Sequence, residues 1–271
     1  MTELTTREQQ LIELDIMKEI HRTFEEKGLK YYIMYGSLLG AIRHKGFIPW
    51  DEDIDITVPR EDYERLAEMT QKEKVFDNDY VVQNYHTDPH FEFPITRICK
   101  KGTYSDNPSR KNLKSMNYVY IDIFPMDNSP DEEILQKKHR KKIKIAKKLS
   151  RFRTNYYYAH QSALRKIFKA VISTPFKVLP ATWYAKNTEK AMKSYNDTET
   201  KFIGSYGSVY PYNKETHLKK DFDERILTDF EDAKFWIPAG YDRILKNLYG
   251  DYMKLPPEED RKSVHKAYLT D

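Results

Sequence analysis

The sequence predicts an α+β fold, a core with a mixed sheet joined to a largely helical basic subdomain. Three observations predict it. Up to residue 124, short β-branched and aromatic runs alternate with segments of helical period. No glycine occurs between Thr103 and Ile203, and that stretch carries the chain's basic excess. The C-terminal part then returns to mixed character. The expected organisation is a core over residues 1–130, a basic helical subdomain over 131–200 and a mixed segment over 201–271 that packs back on the core.

Thr6 and Gln9 are spaced like a capping box, and Leu11, Leu14, Met17, Ile20 and Phe24 recur at helical spacing. Gly28 is expected to end this first helix. Residues 31–35 read as a short buried strand, Gly36-Ser37 as a tight turn and 38–44 as one or two helical turns. Gly46 and Pro49 break the chain before an acidic strand over 53–58, which Pro59 closes, and 60–71 reads as a second helix. Short strands are expected at 80–84, 94–100 and 118–124, with 101–117 a loop between the last two. Pro125, Pro130 and the intervening Asp127-Asn128-Ser129 mark a boundary. Beyond it the basic region is helical by pattern, with Ile134, Ile143, Ile145 and Leu149 as candidates for its packed side and Pro175 and Pro180 as interruptions. A last helix is expected at 241–248, with a turn at Gly250.

At 271 residues the chain can bury a substantial core. A mean hydropathy of −0.81 and 32% charged residues predict a soluble protein, and 14% aromatic residues argue against disorder. The single cysteine, Cys99, rules out an intramolecular disulfide and a thiolate zinc cage, which fits a reducing cytoplasm. Residues 1–10 lack the apolar stretch of a secretory signal, and no window approaches the ~18 apolar residues of a membrane span. The net charge of +4 hides a polarity. From Ile134 to Thr188 there are fifteen Lys and Arg and no Asp or Glu, leaving the rest of the chain with 31 basic and 42 acidic residues, a net of −11. An anionic partner for the middle third follows.

The acidic strand carries the chemistry. Asp53 and Asp55 are two apart, so on a strand they leave the same face, while Ile54, Ile56 and Val58 turn into a core. Two adjacent carboxylates repel by roughly 4 kcal/mol at an effective dielectric near 20 and ~4 Å. A hard divalent cation such as Mg²⁺ or Mn²⁺ removes that penalty. An Asp-x-Asp alone also fits a solvated acidic turn or a glycosyltransferase that holds a nucleotide diphosphate through a metal. Arg43, His44 and Lys45 lie between turn and strand. Arg43 is a candidate for stabilising diphosphate charge and His44 for proton transfer, against a solvated loop or a structural hydrogen bond; for Lys45 the solvated loop is preferred.

Gly36-Ser37 at a helix start, Asp53-Ile54-Asp55 on the next strand and Asp122 between Ile121 and Ile123 are ordered as in the DNA polymerase β-like nucleotidyltransferases, which the chain resembles. The run from Tyr35-Gly36-Ser37-Leu38-Leu39-Gly40 through Trp50-Asp51-Glu52-Asp53-Ile54-Asp55 closely resembles the LicD family. That family includes bacterial phosphocholine transferases and is related to the fukutin-type ribitol-phosphate transferases. The resemblance extends to 118–127 and to 241–257, including Leu248-Tyr249-Gly250-Asp251-Tyr252, with no match in the basic middle third.

The resemblance implies a DNA polymerase β-like nucleotidyltransferase core that is catalytic. Its expected activity is transfer of an alcohol phosphate, with phosphocholine leading, from a CDP-activated donor to a sugar hydroxyl, with release of CMP. The acceptor would be a glycan, lipid-linked or not, in a lipopolysaccharide, teichoic acid or capsule precursor. Ribitol, glycerol or another polyol phosphate stays open, as does true nucleotidyl transfer with release of pyrophosphate. By matching position, Asp53, Asp55 and Asp122 would hold one or two Mg²⁺ or Mn²⁺ ions, with Asp122 nearest the acceptor hydroxyl as ligand and base. Asp51 would orient the ligands or a metal-bound water. Gly36 and Ser37 would hold phosphate oxygens, and Arg97 is a further phosphate-binding candidate. Lacking the cysteine clusters of the family's zinc-binding variants, the chain is expected to hold no structural zinc.

The basic segment has two readings. Between Lys137 and Lys177 it would lie on an anionic membrane, with Ile167, Phe168, Val171, Ile172 and Phe176 as the apolar part of an interfacial helix. That would place the protein in the cytoplasm and at the inner face of the cell membrane. Alternatively it is a solvated helix surface that balances the acidic remainder within or between subunits. Tyr156-Tyr157-Tyr158 suggest an aromatic cage for a quaternary ammonium, yet on a helix they point three ways and read as packing. A non-catalytic binder of RNA or anionic surfaces would leave the acid cluster unexplained, so no specific nucleic acid is expected.

Overall fold

The computed structural model describes residues 1–106, 115–154, 171, 173–263 and 266–270. Its framework is a seven-stranded mixed sheet. Five strands run side by side in the order β2 (Tyr32–Ile33), β3 (Asp55–Pro59), β7 (Val119–Ser129), β5 (Thr96–Lys100) and β4 (Tyr80–Gln83). β8 (Phe202–Gly204) extends the far half of β7, and β9 (Thr216–Leu218) pairs with β8. Only β3 and β7 run parallel among these pairs; the others are antiparallel. The fold is mixed α+β, as expected.

Helix α1 (Thr6–Lys27) is capped by Thr5, whose hydroxyl accepts the Glu8 N–H while the Glu8 carboxylate accepts the Thr5 N–H at 2.7 Å. The capping box is thus one residue earlier than Thr6/Gln9, which frees Gln9 to turn inward. Leu14, Met17, Ile20 and Phe24 are buried, each contributing about 1.5–3 kcal/mol. Leu11, expected in that stripe, is 48% exposed. Gly28 ends the helix at φ 64, a conformation that disfavours side chains. α2 (Tyr35–Arg43) begins at Tyr35 rather than Leu38, and α3 (Arg60–Lys72) follows β3 directly.

β7 runs straight through the boundary expected at Pro125. Its antiparallel pairing with β5 ends at Ile123 and that with β8 begins at Asp127, so Pro125 falls between two partners and interrupts neither. The expected loop over 101–117 contains β6 (Thr103–Asp106), which pairs with β12 (Lys266–Leu269). β12 also pairs with β1 (Thr2–Glu3), so a second sheet ties the two ends of the chain together. A hairpin of β10 (Arg225–Phe230) and β11 (Ala233–Pro238) was not foreseen either. At its tip Glu231 accepts the Phe47 N–H, which fastens the loop between α2 and β3.

The basic region forms α4 (Glu133–Thr154), which packs on α5 (Ala181–Met192) through Ile143, Ala146, Ala191 and Met192. Ile134 and Ile145, expected on the packed side, are exposed. His139 takes that place, hydrogen-bonded to Tyr212 at 2.8 Å and to the Ala191 and Met192 carbonyls at 3.1 Å. Phe176 stacks on Phe152, and Val171 is exposed. Tyr156–Tyr158, Ile167, Phe168 and Ile172 lie outside the described residues. Among the described residues no helix is long and apolar enough to cross a membrane.

A buried ion network joins α3, β7 and α5. Arg60 grips Asp127 with two hydrogen bonds of 2.7 and 2.8 Å and reaches Glu189 at 2.6 Å, while Asn196 donates to Asp127 at 2.7 Å. Asp127→Ala is expected to cost about 3–5 kcal/mol, because two buried donors lose their acceptor. Urea unfolding of the variant checks this; a loss under about 1 kcal/mol, the range of an exposed ion pair, would contradict it.

Candidate active site

Strand register builds the site. Asp55 pairs with Asp122 across the parallel β3–β7 ladder, and Asp122 pairs with Arg97 across the antiparallel β7–β5 ladder. The three residues form one row across three central strands. Asp53, Asp55, Asp122 and Arg97 all line a cavity of about 530 Å³, a size that suits a small ligand. β3 begins at Asp55 rather than at Asp53, so Asp53 lies exposed just before the strand. The alternation nevertheless holds, with Ile54, Ile56 and Val58 buried.

Burial raises the Asp55 carboxyl well above the usual range, reinforced by the charges of Asp53, Asp122, Asp51 and Glu215. Burial and the neighbouring Asp53 raise Asp51 as well. Asp122 is held by Arg97, whose Nε donates to it at 2.5 Å. The Arg97 guanidinium is buried and sits 4.0 Å from the Tyr120 ring centroid, with Phe91 and Phe93 at 5.1 and 5.2 Å. Arg97 is therefore committed to positioning Asp122 inside an aromatic box.

Two glutamates and a glutamine escaped the sequence reading. Glu13 of α1 is buried, and its carboxyl accepts the Ile54 N–H at 2.8 Å, between the two aspartates of the Asp-x-Asp. Gln10 donates to the Asp51 carbonyl at 2.8 Å. The signal was present: polar Gln9, Gln10 and Glu13 continue the buried face of α1 toward its N-terminus. Burial, then the charge of Asp53, raises Glu13 well above the usual range. Glu215, on the short helix α6 (Tyr212–Glu215), is buried and accepts from Tyr35 at 2.8 Å and from Ser208. Burial pushes its carboxyl up to about 7.

The lining also carries cations. Lys147 and Arg151 of α4 line the cavity, and Lys147 Nζ donates to the Ser208 carbonyl at 2.6 Å. Burial pushes the Lys147 ammonium down to about 8. Tyr35 and Tyr210 stack at 5.2 Å along one side.

Five predicted residues, Gly36, Ser37, Arg43, His44 and Asp51, do not line the cavity. Ser37 is buried and accepts the Asp55 N–H at 2.9 Å, so it anchors the start of β3. A Cβ on Gly36 would lie 2.4 Å from Asp51 Oδ2; the glycine lets that carboxylate rest on the first turn of α2. Arg43 turns away, donating to His44 Nε2 at 2.9 Å and to the Tyr252 carbonyl at 2.8 Å. His44 accepts that bond and packs edge-on to Trp50. Arg43 thereby fastens the segment after α7 (Tyr241–Tyr249) to α2.

The donor set has the chemistry of a hard divalent site: oxygen only, anionic, and mutually destabilised at Asp55. Among the described residues, no three His, Cys, Asp or Glu side chains converge on a single metal position as they stand.

Residues 28–177 match the family model described as "LicD/FKTN/FKRP, nucleotidyltransferase domain". The match continues through the basic segment, where the sequence alone offered no resemblance. Along 99% of its length the chain is 33% identical to the lipopolysaccharide cholinephosphotransferase LicD of Haemophilus influenzae, all of which is covered. The ribitol 5-phosphate transferases FKRP of mouse and human are each 28% identical over 102 residues, 31% of this chain and 21% of theirs. The chain belongs to the LicD family and is a phosphotransferase.

Proposed function

We propose that this protein transfers an alcohol phosphate, phosphocholine first among the candidates, from a CDP-activated donor to a sugar hydroxyl of a lipopolysaccharide-type glycan. In this reaction the acceptor oxygen forms a bond to the donor's alcohol-bearing phosphorus. The bond from that phosphorus to the CMP oxygen breaks, CMP leaves with the bonding pair, and the acceptor proton passes to a base. The choice of phosphocholine rests on similarity to a cholinephosphotransferase along both full lengths. The observation that carries the chemistry is the in-register pairing of Asp55 with Asp122 beside Asp53 in one cavity.

Asp53, Asp55 and Asp122 would hold Mg²⁺ or Mn²⁺, with Asp51 behind them. When bound, the cation offsets the carboxylate repulsion and stabilises charge on phosphoryl oxygens. Asp122, aimed by Arg97, is placed to take the acceptor proton. Lys147 and Arg151, which line the same cavity as the carboxylates, would replace Arg43 and His44 as the groups that meet the donor phosphates. Glu13 fixes the backbone between Asp53 and Asp55 and thereby positions both.

The test is incubation with CDP-choline, CDP-ribitol or CDP-glycerol, a lipopolysaccharide acceptor and Mg²⁺ or Mn²⁺, with CMP and pyrophosphate measured. CMP without pyrophosphate is expected, fastest from CDP-choline and abolished by EDTA; pyrophosphate release would overturn the reading. Asp55→Asn and Asp122→Asn should each lower kcat by roughly 10²–10³-fold. Without cation, Asp55→Asn should melt a few degrees higher than the parent, because repulsion is relieved, and Mn²⁺ should no longer stabilise it. Glu13→Ala should lower kcat by about tenfold or more with little change in donor KM, as expected for misplaced rather than missing reactive groups.

Lys147 sets a pH limit. Its charge is present below about 8 and lost above it. kcat/KM for the donor follows the free enzyme, so it should fall as pH rises through about 8. Lys147→Arg, which stays charged, should remove that limb. A parent profile flat to pH 9.5 would contradict this limit.

A further inference from the structure

A second concavity of about 700 Å³ adjoins the first, and both are lined by Lys147, Arg151 and Tyr210. Its long wall is α4, which presents Lys137, Arg140, Lys141, Lys144, Lys147 and Arg151. These recur every three or four residues, so they form one stripe ~21 Å long at 1.5 Å per residue. Tyr206, Tyr210 and Tyr212 make the other wall, Tyr206 and Tyr212 stacked at 4.6 Å. Among the described residues, Arg140, Lys141 and Lys144 have no carboxylate partner, and Lys137 reaches Glu133 on the exposed helix surface. Among the described residues that line the groove, the one acid is Glu215, buried and already bonded to Tyr35 and Ser208.

We infer that this groove binds the acceptor through phosphate groups carried by its glycan at positions remote from the reacting hydroxyl. This deepens the transfer reading and rests on it. Length supports it: a donor diphosphate meets one turn of helix, whereas the stripe runs four turns and ends at the carboxylate cavity. Chemistry supports it too, because Arg140, Lys141 and Lys144, without a carboxylate partner among the described residues, suit phosphate monoesters, and the half-buried rings of Tyr210 and Tyr212 give apolar surface for sugar rings. The shape argues against a bilayer, whose flat headgroup plane would not reach Lys147 where the groove enters the cavity. Arg140, Lys141 and Lys144 recognise phosphate on the acceptor, while Lys147 and Arg151 mark the junction with the donor.

The test uses the full chain, an oligosaccharide carrying phosphate monoesters, and the same oligosaccharide after phosphatase treatment. Binding is measured by calorimetry without donor, and transfer by CMP release. The phosphorylated form should bind at least ~10-fold more tightly than its treated twin. The triple variant Arg140→Ala, Lys141→Ala, Lys144→Ala should raise KM for the phosphorylated acceptor by a similar factor. Its kcat and its slow donor hydrolysis without acceptor should remain as in the parent, and its melting temperature should not fall, because three like-charge pairs of α4 are removed. Equal affinity for both oligosaccharides, or an unchanged KM in the triple variant, overturns the inference. It is also overturned if the variant loses binding only to phosphatidylglycerol vesicles, which would assign the stripe to a membrane. Phosphate-selective binding with no CMP released from any CDP donor would sustain the groove's ligand class while removing the transfer reading.

Discussion

Arg97, Asp122 and Asp55 stand in one row because β5, β7 and β3 meet in a register that leaves no freedom for a slip. A shift by one residue would send every side chain of a strand to the other face, and Ile121 and Ile123 would lose their burial. The row is electrostatically unbalanced. One buried guanidinium faces Asp122, but Asp55 feels Asp53, Asp51 and Glu215 as well. Repulsion of roughly 4 kcal/mol per adjacent pair at an effective dielectric near 20 is comparable with the net stability of many domains. Without a cation the protein meets that cost by holding protons, hence the raised carboxyls of Asp55, Asp51 and Glu13. A hard cation bound there would have to displace those protons, which would couple its binding to pH.

The segment 45–55 has little structure of its own. Gly46 and Pro49 interrupt it, and the ladder starts only at Asp55. Its placement comes from outside, through Gln10 and Glu13 of α1, Ser37 of α2 and Glu231 at the hairpin tip. Four anchors from three remote elements hold carboxylates far more closely than a free loop would. In this arrangement Gly36 and Ser37 act on the acidic strand, and the first turn of α2 already carries the Asp51 carboxylate.

What was legible in the sequence follows from local physics. Alternation placed Asp53, Asp55 and Asp122 against buried Ile54, Ile56, Ile121 and Ile123, and helical period located α1, α3 and α7. What was hidden depends on distant partners. A cap at Thr5 rather than Thr6 turns on which glutamate or glutamine folds back. Pro125 reads as a breaker unless the change from β5 to β8 is known. β6 looks like loop until residues some 160 positions later pair with it. Ile134 and Ile145 are apolar, yet α4 buries His139 instead because Tyr212 and two helix-end carbonyls satisfy its ring. Glu13 was hidden because a charged residue on an apolar stripe reads as a defect, whereas here it holds the backbone of the acidic segment at Ile54.

The charge distribution on α4 bears on the same question from the side of stability. Lys137–Lys141, Arg140–Lys144, Lys144–Lys148 and Lys147–Arg151 are like-charge pairs at i,i+4. Each disfavours the helix by about 0.2–0.5 kcal/mol, so together they cost roughly 1–2 kcal/mol. Interspersed glutamates would have reversed the sign, and the chain has 42 acidic residues but none between 134 and 188. The helix is held by packing on α5 through Ile143 and Ala146, not by its surface. Arg140, Lys141 and Lys144, without a carboxylate partner among the described residues, retain their field for something else, and the groove they line adjoins a cavity that also holds carboxylates. A phosphoryl group in that cavity would meet Lys147 and Arg151 of α4. The carboxylates would repel it unless a divalent ion were in place, so charges of this kind would favour a cation binding before a phosphorylated donor.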